Sequence, residues 1–476
     1  MRLNLSDIEK AVGSSITYNG AAPETLISCV DVDSRRLTEG GVFIATVGER
    51  VDGHKFIADV YARGAVLVIS GKSPEQVECE HGILADEWGS YLIVEEPLEA
   101  LKRIAEYYRC SLKIPVVGIT GSVGKTSTKE FIAGVLSQKY NVLKTDGNYN
   151  NEIGVPLTLL RIREKHTAAV IEMGISDFGE MHILSKMVRP DICVITNIGQ
   201  CHLEKLKDRD GILRAKTEIF DFMNPDGEVC LNGDDDKLIT VKEVKGRRVH
   251  YFGISEMPDK EVYAADIVSR GLYGSDARLH LMSGNEISIN VSLPGKHMVS
   301  NAAAAACVAE LLGLSDVQLQ RGISSISAVS GRNHLIASER YTLIDDCYNA
   351  NPVSMKAAID LLMLADTIKV AILGDMFELG DNSDEMHADM GKYAAALGID
   401  IILCVGEGSR HMYNAAMETA ALREAPCRQN IRYYEDRDAL VRHIETDRRS
   451  IIPDGSTVLI KASHGMHFEK LLQILQ

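Results

Sequence analysis

The sequence predicts an α/β protein of three domains. These are a small N-terminal α/β domain, a central P-loop-containing, mostly parallel sheet with added antiparallel hairpins, and a C-terminal doubly wound, Rossmann-like sheet. Three observations predict it. At 476 residues the chain is longer than one hydrophobic core usually serves. Residues 118–128 read GITGSVGKTST, directly after the apolar run IPVV and before TKEFIAGVLSQKY, a segment with helical periodicity. Beyond residue 340 the runs YTLIDD, KVAILGD, DIILCVG and STVLIKA are separated by helix-length segments, the spacing of a doubly wound sheet.

In chain order, GVFIATVG (41–48), AVLVIS (65–70) and YLIVEE (91–96) read as short strands between turn residues and set a first domain at 1–98. The second domain, 99–330, opens with the glycine-rich loop. AAVIEMG (168–174) and DICVITNIG (191–199) follow as continuous apolar runs, as parallel strands buried on both faces require. After residue 226 the texture changes. RRVHYFG, ADIVSRGLYGSDARLHLMSG and NEISINVSLPG alternate and carry glycine turns, which predicts antiparallel hairpins packed on that sheet. An alanine-rich helix at 299–313 closes the domain, and a third, 331–476, begins around Ser330-Gly331-Arg332.

The composition is globular, with 45% hydrophobic and 25% charged residues. A net charge of −16 argues against a general nucleic-acid surface, so an anionic ligand must meet a local basic pocket. No stretch reaches membrane-spanning length; the nearest, NAAAAACVAELLGL (301–314), is interrupted by Glu310. With an acidic start and no signal-peptide pattern, a cytoplasmic protein without membrane partners is expected. Ten cysteines, at 29, 79, 110, 193, 201, 230, 307, 347, 404 and 427, contain no CxxC and read as reduced, mostly core residues.

The loop at 118–128 carries the first chemistry. Glycines at 118, 121 and 124 let backbone amides turn inward, and the following helix adds its positive end. Lys125 neutralises terminal phosphates and Thr126 reaches Mg²⁺, so ATP or GTP binding is expected. The spacing misses the strict phosphate-loop pattern by one residue, because position 119 is isoleucine.

Ligands in open parallel sheets bind at the carboxyl ends of strands. The first such strand ends in the loop, the second at Glu172, and the third at Asn197, followed by His202. Each polar residue alone fits a solvated or capping role; together with the loop they favour a site. Oxygens of Glu172 and Thr126 with substrate phosphates suit Mg²⁺, and His202 is the softer ligand. In 208–223, Ile212, Leu213, Ile219, Phe220 and Met223 lie at helical spacing, and Lys216 falls within that apolar stripe. Periodicity favours a snorkelling lysine; the sharper alternative is a deprotonated amine that takes up CO₂ as a carbamate ligand. Between 144 and 160 the amides of Asn148, Asn150 and Asn151 suit a sugar, a peptide or a diphosphate, or equally a turn-rich loop.

These segments resemble the Mur ligases, the ATP-dependent amide-forming enzymes of peptidoglycan precursor synthesis, over essentially the whole chain. The resemblance rests on DSRRLTEGGVFIATVGERVDGHKF (33–56), TGSVGKTS (120–127), GNYNNEIGVPLTLL (147–160), EMG (172–174), AKTEIF (215–220), LPGKHMVSNAAAA (293–305), DDCYNANPVSM (345–355) and LGDMFELG (373–380). YNANP with LGDMFELG, and the absence of DNPR, resemble the D-alanyl-D-alanine-adding members. The resemblance implies that Ser34, Arg35, Asp52, Gly53 and His54 hold a UDP-sugar and that Asn148, Asn150 and Asn151 line its path. It implies ATP at Gly121, Ser122, Gly124, Lys125, Thr126 and Ser127, with Asn301 at adenine and Arg332 and Asp346 reaching the nucleotide. Asn349 and Asn351 would border the incoming dipeptide. Thr126, Glu172, His202 and a carbamylated Lys216 would hold two Mg²⁺ ions, with Lys125, Lys216 and His202 as the catalytic set. One departure is Lys-Ala-Ser-His at 461–464, where the family often has Lys-Gly-Ser-Arg.

The implied reaction joins UDP-N-acetylmuramoyl-tripeptide to D-alanyl-D-alanine through an acyl phosphate in a monomeric enzyme, with the C-terminal domain closing around ATP. A folylpolyglutamate synthase-like ligase would share the loop but lack DSRR and DGHKF. A nucleotide-binding switch protein would need neither Lys216 on an apolar face nor the amide-rich loop.

Overall fold

The computed structural model describes residues 1–48, 51–84, 87–255, 260–328, 331–423 and 430–476. Ser330, at the expected start of the third domain, and Cys427 lie outside them. Three sheets form. The first holds β1 (Val30–Asp31), β2 (Val42–Ala45), β3 (Leu67–Ser70) and β4 (Tyr91–Ile93), all parallel in the order β1-β2-β3-β4.

The second sheet carries the chemistry. Its strands are β5 (Val116–Thr120), β6 (Val142–Lys144), β7 (Ala168–Glu172), β8 (Ile192–Ile195), β9 (Glu228–Asn232), β10 (Glu243–Val244), β11 (Arg247–Gly253), β12 (Lys260–Ser269), β13 (Ser275–His280) and β14 (Glu286–Val291). The order is β14-β13-β12-β11-β9-β8-β5-β7-β6, with β10 on β11. From β5 the chain first moves to β6 and β7 on one side and then crosses to β8 and β9 on the other. That reversal puts a topological switch point at the carboxyl ends of β5, β7 and β8. Register brings those ends level, with Ile119 opposite Glu172 and Thr120 opposite Ile195.

The residues after 226 extend this sheet instead of packing on it. RRVHYFG forms β11, which makes an antiparallel hairpin with β10 as expected but runs parallel to both of its other neighbours, β9 and β12; the remaining antiparallel pairs are β12–β13 and β13–β14. Alternation reports that one face is solvated and says nothing about strand direction.

The third sheet contains β15 (His334–Ala337), β16 (Thr342–Asp345), β17 (Lys369–Gly374), β18 (Ile401–Val405), β19 (Ile431–Tyr434) and β20 (Thr457–Lys461). Its order is β15-β16-β20-β17-β18-β19, parallel except for the β15 edge. Apolar clusters cover both of its faces, as the uninterrupted strands require.

The helix Pro97–Ser111 starts with proline at its first turn and buries Ala100, Leu101, Ile104, Ala105 and Tyr108. These side chains belong to one core cluster shared by the first and second sheets, so the two are held by continuous packing. On the opposite face of the second sheet lies the helix Lys296–Leu311, whose run of buried alanines allows close approach to the helix Lys125–Leu136.

Candidate active site

The loop after β5 is shaped by two glycines. Gly121 has φ 150° and Gly124 φ 83°, and a methyl group on Gly121 would lie 1.9 Å from Thr196 Oγ1. Gly118, expected to belong to the turn, is instead a strand residue packed against Met173 and Pro190. The loop is braced from β8: Asn197 Oδ1 accepts from the Val123 amide at 3.0 Å and Asn197 Nδ2 donates to the Val123 carbonyl at 2.9 Å. Thr196 Oγ1 also donates to the Val123 carbonyl, at 2.6 Å. Lys125 folds back to donate to the carbonyl of Gly121 at 2.8 Å. Burial lowers its pKa, with Glu172 opposing the shift.

At the next residue, Thr126 Oγ1 donates to the carboxylate of Glu172, 2.9 Å from Oε2 and 3.1 Å from Oε1. Asn150 Nδ2 donates to Oε1 at 2.8 Å, and the Glu172 amide is held by Thr145 Oγ1 at 3.0 Å. Glu172 is buried, and Lys129, equally buried, lies 3.7 Å from its Oε2 while donating to the Thr145 carbonyl at 2.8 Å. A hydroxyl and a buried carboxylate in contact at the head of a phosphate loop form an oxygen donor pair suited to a hard divalent cation.

Lys216 sits in the helix Arg209–Thr217 and is 1% exposed. Among the described residues no carboxylate or hydrogen-bond acceptor meets its amine, and burial lowers its pKa to about 8, with nearby Lys125 adding to the shift. That leaves a nearly enclosed amine without an anion beside the phosphate loop. His202 is close to both lysines; burial lowers its pKa, and the carboxylate of Glu378 opposes that.

These groups open onto a cleft of about 810 Å³ bounded by the second and third sheets. It is lined by Ser122, Gly124, Lys125, Ser127, Asn150, Asn151, Glu172, His202, Asn301, Arg332, Asp346, Asn349 and Asn351. Gly121, Thr126 and Lys216 lie behind the wall. Asn301 accepts from Thr128 Oγ1 at 2.9 Å, which ties the alanine-rich helix to the loop helix. Asp346, expected to reach a nucleotide, is already engaged by Lys461 at 2.6 Å. Arg332 stacks over the Tyr348 ring at 4.0 Å, and the ring of His464, the departure in Lys-Ala-Ser-His, lies 5.7 Å from that of Tyr348 between centroids. Asn351 caps the helix Pro352–Leu362 and Asn349 Oδ1 accepts from the Ala350 amide.

The residues expected to hold a UDP-sugar do not line this cleft. Asp52 accepts from the His54 amide at 3.0 Å, His54 Nδ1 at 2.6 Å, His81 Nε2 at 3.1 Å and Lys72 Nζ at 3.5 Å. Burial pushes its pKa up, but these partners hold it well below the ordinary carboxylate value. The Gly53 backbone abuts Thr46, leaving 2.8 Å between a built methyl and the Thr46 carbonyl. Ser34 is buried in a short turn where Arg35 pairs with Asp33 at 2.8 Å. Arg36, which the sequence reading passed over, instead reaches the Tyr149 hydroxyl beside the exposed Asn148. It lines a smaller recess of about 140 Å³ with Arg161 and Arg163.

Sequence reading missed Lys129, buried against Glu172, and Glu378, beside His202, as well as Tyr348 and His297 in the cleft wall. The first had a signal, an interior lysine four residues after Lys125 on an otherwise buried helix face. His297 is half-buried in the cleft wall, and desolvation lowers its pKa to about 4, so its neutral ring faces Asn333 Nδ2 at 3.1 Å.

The chain matches the Mur ligase middle domain over 119–309, the glutamate ligase domain of Mur ligases over 331–464 and the Mur ligase family catalytic domain over 26–109. It is 32% identical to the UDP-N-acetylmuramoyl-tripeptide–D-alanyl-D-alanine ligase of Bacillus subtilis (strain 168), across 99% of this chain and 97% of the relative. It belongs to the Mur ligase family. The Escherichia coli (strain K12) enzyme of the same name is 32% identical over 94% of each chain. A crystal structure of the family member MurF from Acinetobacter baumannii superposes with a TM-score of 0.86 at 31% identity, covering 99% of this chain and 98% of that one. MurF ligase from Thermotoga maritima in complex with ADP gives 0.79 at 26% identity, covering 95% and 98%. Folylpolyglutamate synthase from Mycobacterium tuberculosis, at 18% identity and a TM-score of 0.61, shares the fold. Family membership makes this chain an ATP-dependent amide-forming ligase, and no helix among its described residues is long and apolar enough to cross a membrane.

Proposed function

We propose that the chain adds D-alanyl-D-alanine to UDP-N-acetylmuramoyl-tripeptide in peptidoglycan precursor synthesis, with both small-molecule substrates and ATP meeting in the cleft between the second and third sheets, and that it does so as a cytoplasmic monomer. The observation that carries this reading is the single cleft wall joining the phosphate loop and Glu172 from one sheet to Arg332, Asp346, Asn349 and Asn351 from the other. Relatives at about one-third identity over nearly the full chain carry that name and support it.

The ligand set fits Mg²⁺: Thr126 and Glu172 supply oxygens already in contact, and His202 opens onto the cleft. Lys216 fits a carbamate, because an enclosed amine with a pKa near 8 keeps a nucleophilic neutral fraction and has no acceptor to satisfy it. Bound there, two Mg²⁺ ions would neutralise charge on the transferring phosphoryl group.

The protein's own part follows from its donors. Ser122, Gly124 and Ser127 surround the phosphates while Lys125 exchanges the Gly121 carbonyl for phosphate oxygens. The terminal carboxylate of the tripeptide attacks the γ-phosphorus of ATP, forming an acyl phosphate and releasing ADP. The dipeptide amine then attacks the acyl carbon, phosphate leaves, and the amine loses a proton. Asn349 and Asn351 border the dipeptide, and Arg332 on Tyr348 offers a cationic face to the nucleotide. Docking of the third sheet over the cleft excludes water from the acyl phosphate. The UDP end is assigned to the first domain near Ser34, Arg35 and the Asp52–His54 turn, with Arg36 and Tyr149 added.

Phosphate release tests the reading. Strict dependence on both UDP-tripeptide and D-alanyl-D-alanine supports it; release without the dipeptide, or with a folate substrate in its place, overturns it.

A further inference from the structure

His202 Nδ1 lies 2.6 Å from Glu378 Oε2, a contact between the second and third sheets that the mechanism leaves without a task. Both residues belong to short elements that pack on each other. His202 precedes the helix Leu203–Leu206, and Glu378 precedes the turn Gly380–Asn382. A methyl built on Gly380 would lie 3.6 Å from the Glu204 backbone. His202 and Glu378 both have left-handed backbones, with φ 49° and 61°. Residues with a Cβ disfavour that region, so the surrounding structure imposes it at both ends of one contact.

The charges around the ring are asymmetric. The groups acting on His202 are Lys125, Lys216 and Glu378, so Glu378 is the anion among two cations. Among the described residues, Nε2 has no hydrogen-bond partner, and His202 lines the cleft.

We infer that Glu378 is a positioning residue that aims His202 from across the domain boundary. Its carboxylate lies close enough to accept from Nδ1–H, which would fix the tautomer and leave the Nε2 lone pair for a cation in the cleft. The inference rests on the metal role proposed above for His202. A ligand histidine tied through its second nitrogen to a carboxylate is a recurring outer-shell arrangement. Here the carboxylate belongs to the opposite domain, so the ligand is aimed only while the third sheet is docked. Metal binding and domain closure thereby become one event. A purely structural role predicts little, because the Glu378 side chain is 61% exposed and exposed ion pairs contribute little stability.

The test measures Mn²⁺ binding, by calorimetry and by loss of the free-ion paramagnetic resonance signal, to the full chain saturated with a non-hydrolysable ATP analogue. Glu378→Ala is expected to weaken Mn²⁺ binding about ten- to a hundredfold, the range for loss of an outer-shell partner. Glu378→Gln, which keeps an acceptor, is expected to fall between it and the parent. Asp381→Ala, a neighbouring exposed acid, is expected to match the parent. Adding Glu378→Ala to His202→Ala is expected to cost nothing further. If His202→Ala weakens binding and Glu378→Ala does not, the inference is overturned while the metal site stands. If His202→Ala itself leaves binding unchanged, the metal role of His202 fails and takes the inference with it. Thermal unfolding of each variant identifies any that lost binding by misfolding, and the Gln variant then decides.

Discussion

Lys461, at the end of β20, donates to Asp346 Oδ2 at 2.6 Å and to the Asn349 carbonyl at 3.0 Å, and both side chains of the ion pair are buried. The pair sits where the last two central strands of the third sheet end side by side, with Asp345 opposite Ile460. It therefore holds the Asp346–Asn351 segment against the cleft. Burial raises the Asp346 pKa and Lys461 counteracts this.

Lys461→Met is accordingly expected to cost about 3–5 kcal/mol of stability, the usual consequence of leaving one buried charge alone. Without its partner the Asp346 pKa rises further. A carboxyl group with a raised folded pKa is penalised above its unfolded pKa, near 4, so the deficit is expected to grow from pH 5 to pH 8. Urea denaturation at the two pH values checks both magnitude and sign. An equal deficit at both would remove the charge explanation.

Lys216 offers a second pH test. Its folded pKa, near 8, lies below the unfolded value of 10.5, so the unfolded chain binds more protons between the two. In CO₂-free buffer the buried amine then penalises folding fully below pH 8 and not at all above pH 10.5, a span worth about 3 kcal/mol. Lys216→Met is expected to be stabilising at pH 7, with the gain fading toward pH 10. Added bicarbonate is expected to stabilise the parent chain and leave Lys216→Met unchanged. Lys216→Ala is expected to abolish turnover, with partial recovery in formate or acetate. Full activity in the alanine variant returns the residue to packing alone.

Gly121 and Gly118 separate two meanings of glycine in one motif. At Gly121 a methyl would collide with Thr196 at 1.9 Å on a backbone that L-residues rarely adopt, so Gly121→Ala is expected to lose ATP-analogue binding at least tenfold. At Gly118 the nearest atom to a built methyl is the flexible Met173 sulfur, at 3.0 Å. Gly118→Ala is expected to lower stability by about 1–3 kcal/mol through overpacking while binding nucleotide like the parent. Calorimetric titration with an ATP analogue discriminates the two.

How much of this was legible in the sequence depends on what each residue touches. Strands with long apolar runs, such as Ala168–Glu172 and Ile401–Val405, announced themselves, because burial on both faces leaves no polar position. Val30–Asp31 and Val142–Lys144 did not: two or three residues carry no period, and pairing to a neighbour defines them. Local motifs placed Lys125, Thr126 and Glu172 correctly at one sheet edge. The contacts that complete the site, Lys129 to Glu172 and Glu378 to His202, span 43 and 176 residues of chain and depend on helix rotation and domain docking. Neither leaves a spacing in the sequence. The Asp52–His54 turn is read differently again: its motif is plain, but its side chains are largely spent on His81, Lys72 and Ser70.

The amide-rich loop, open between ligand binding and turn formation on sequence alone, divides by residue. Asn150 Nδ2 donates to Glu172 at 2.8 Å, whereas Asn151 Oδ1 accepts from the amides of Ile153 and Gly154 at 3.2 and 2.9 Å, at the head of the helix Gly154–Leu159. The first holds a proposed metal ligand; the second satisfies helix-terminal donors that have no intrahelical partner. Asn150→Ala is therefore expected to lower kcat tenfold or more, by freeing Glu172 to rotate, with a melting temperature close to the parent's. Asn151→Ala is expected to cost about 1 kcal/mol of stability, as lost caps do, whatever its effect on substrate. Melting temperatures and steady-state kinetics on the two variants decide between them. If Asn150→Ala melts early and turns over normally, the amide is a turn residue and Glu172 is oriented by Thr126 and Lys129 alone.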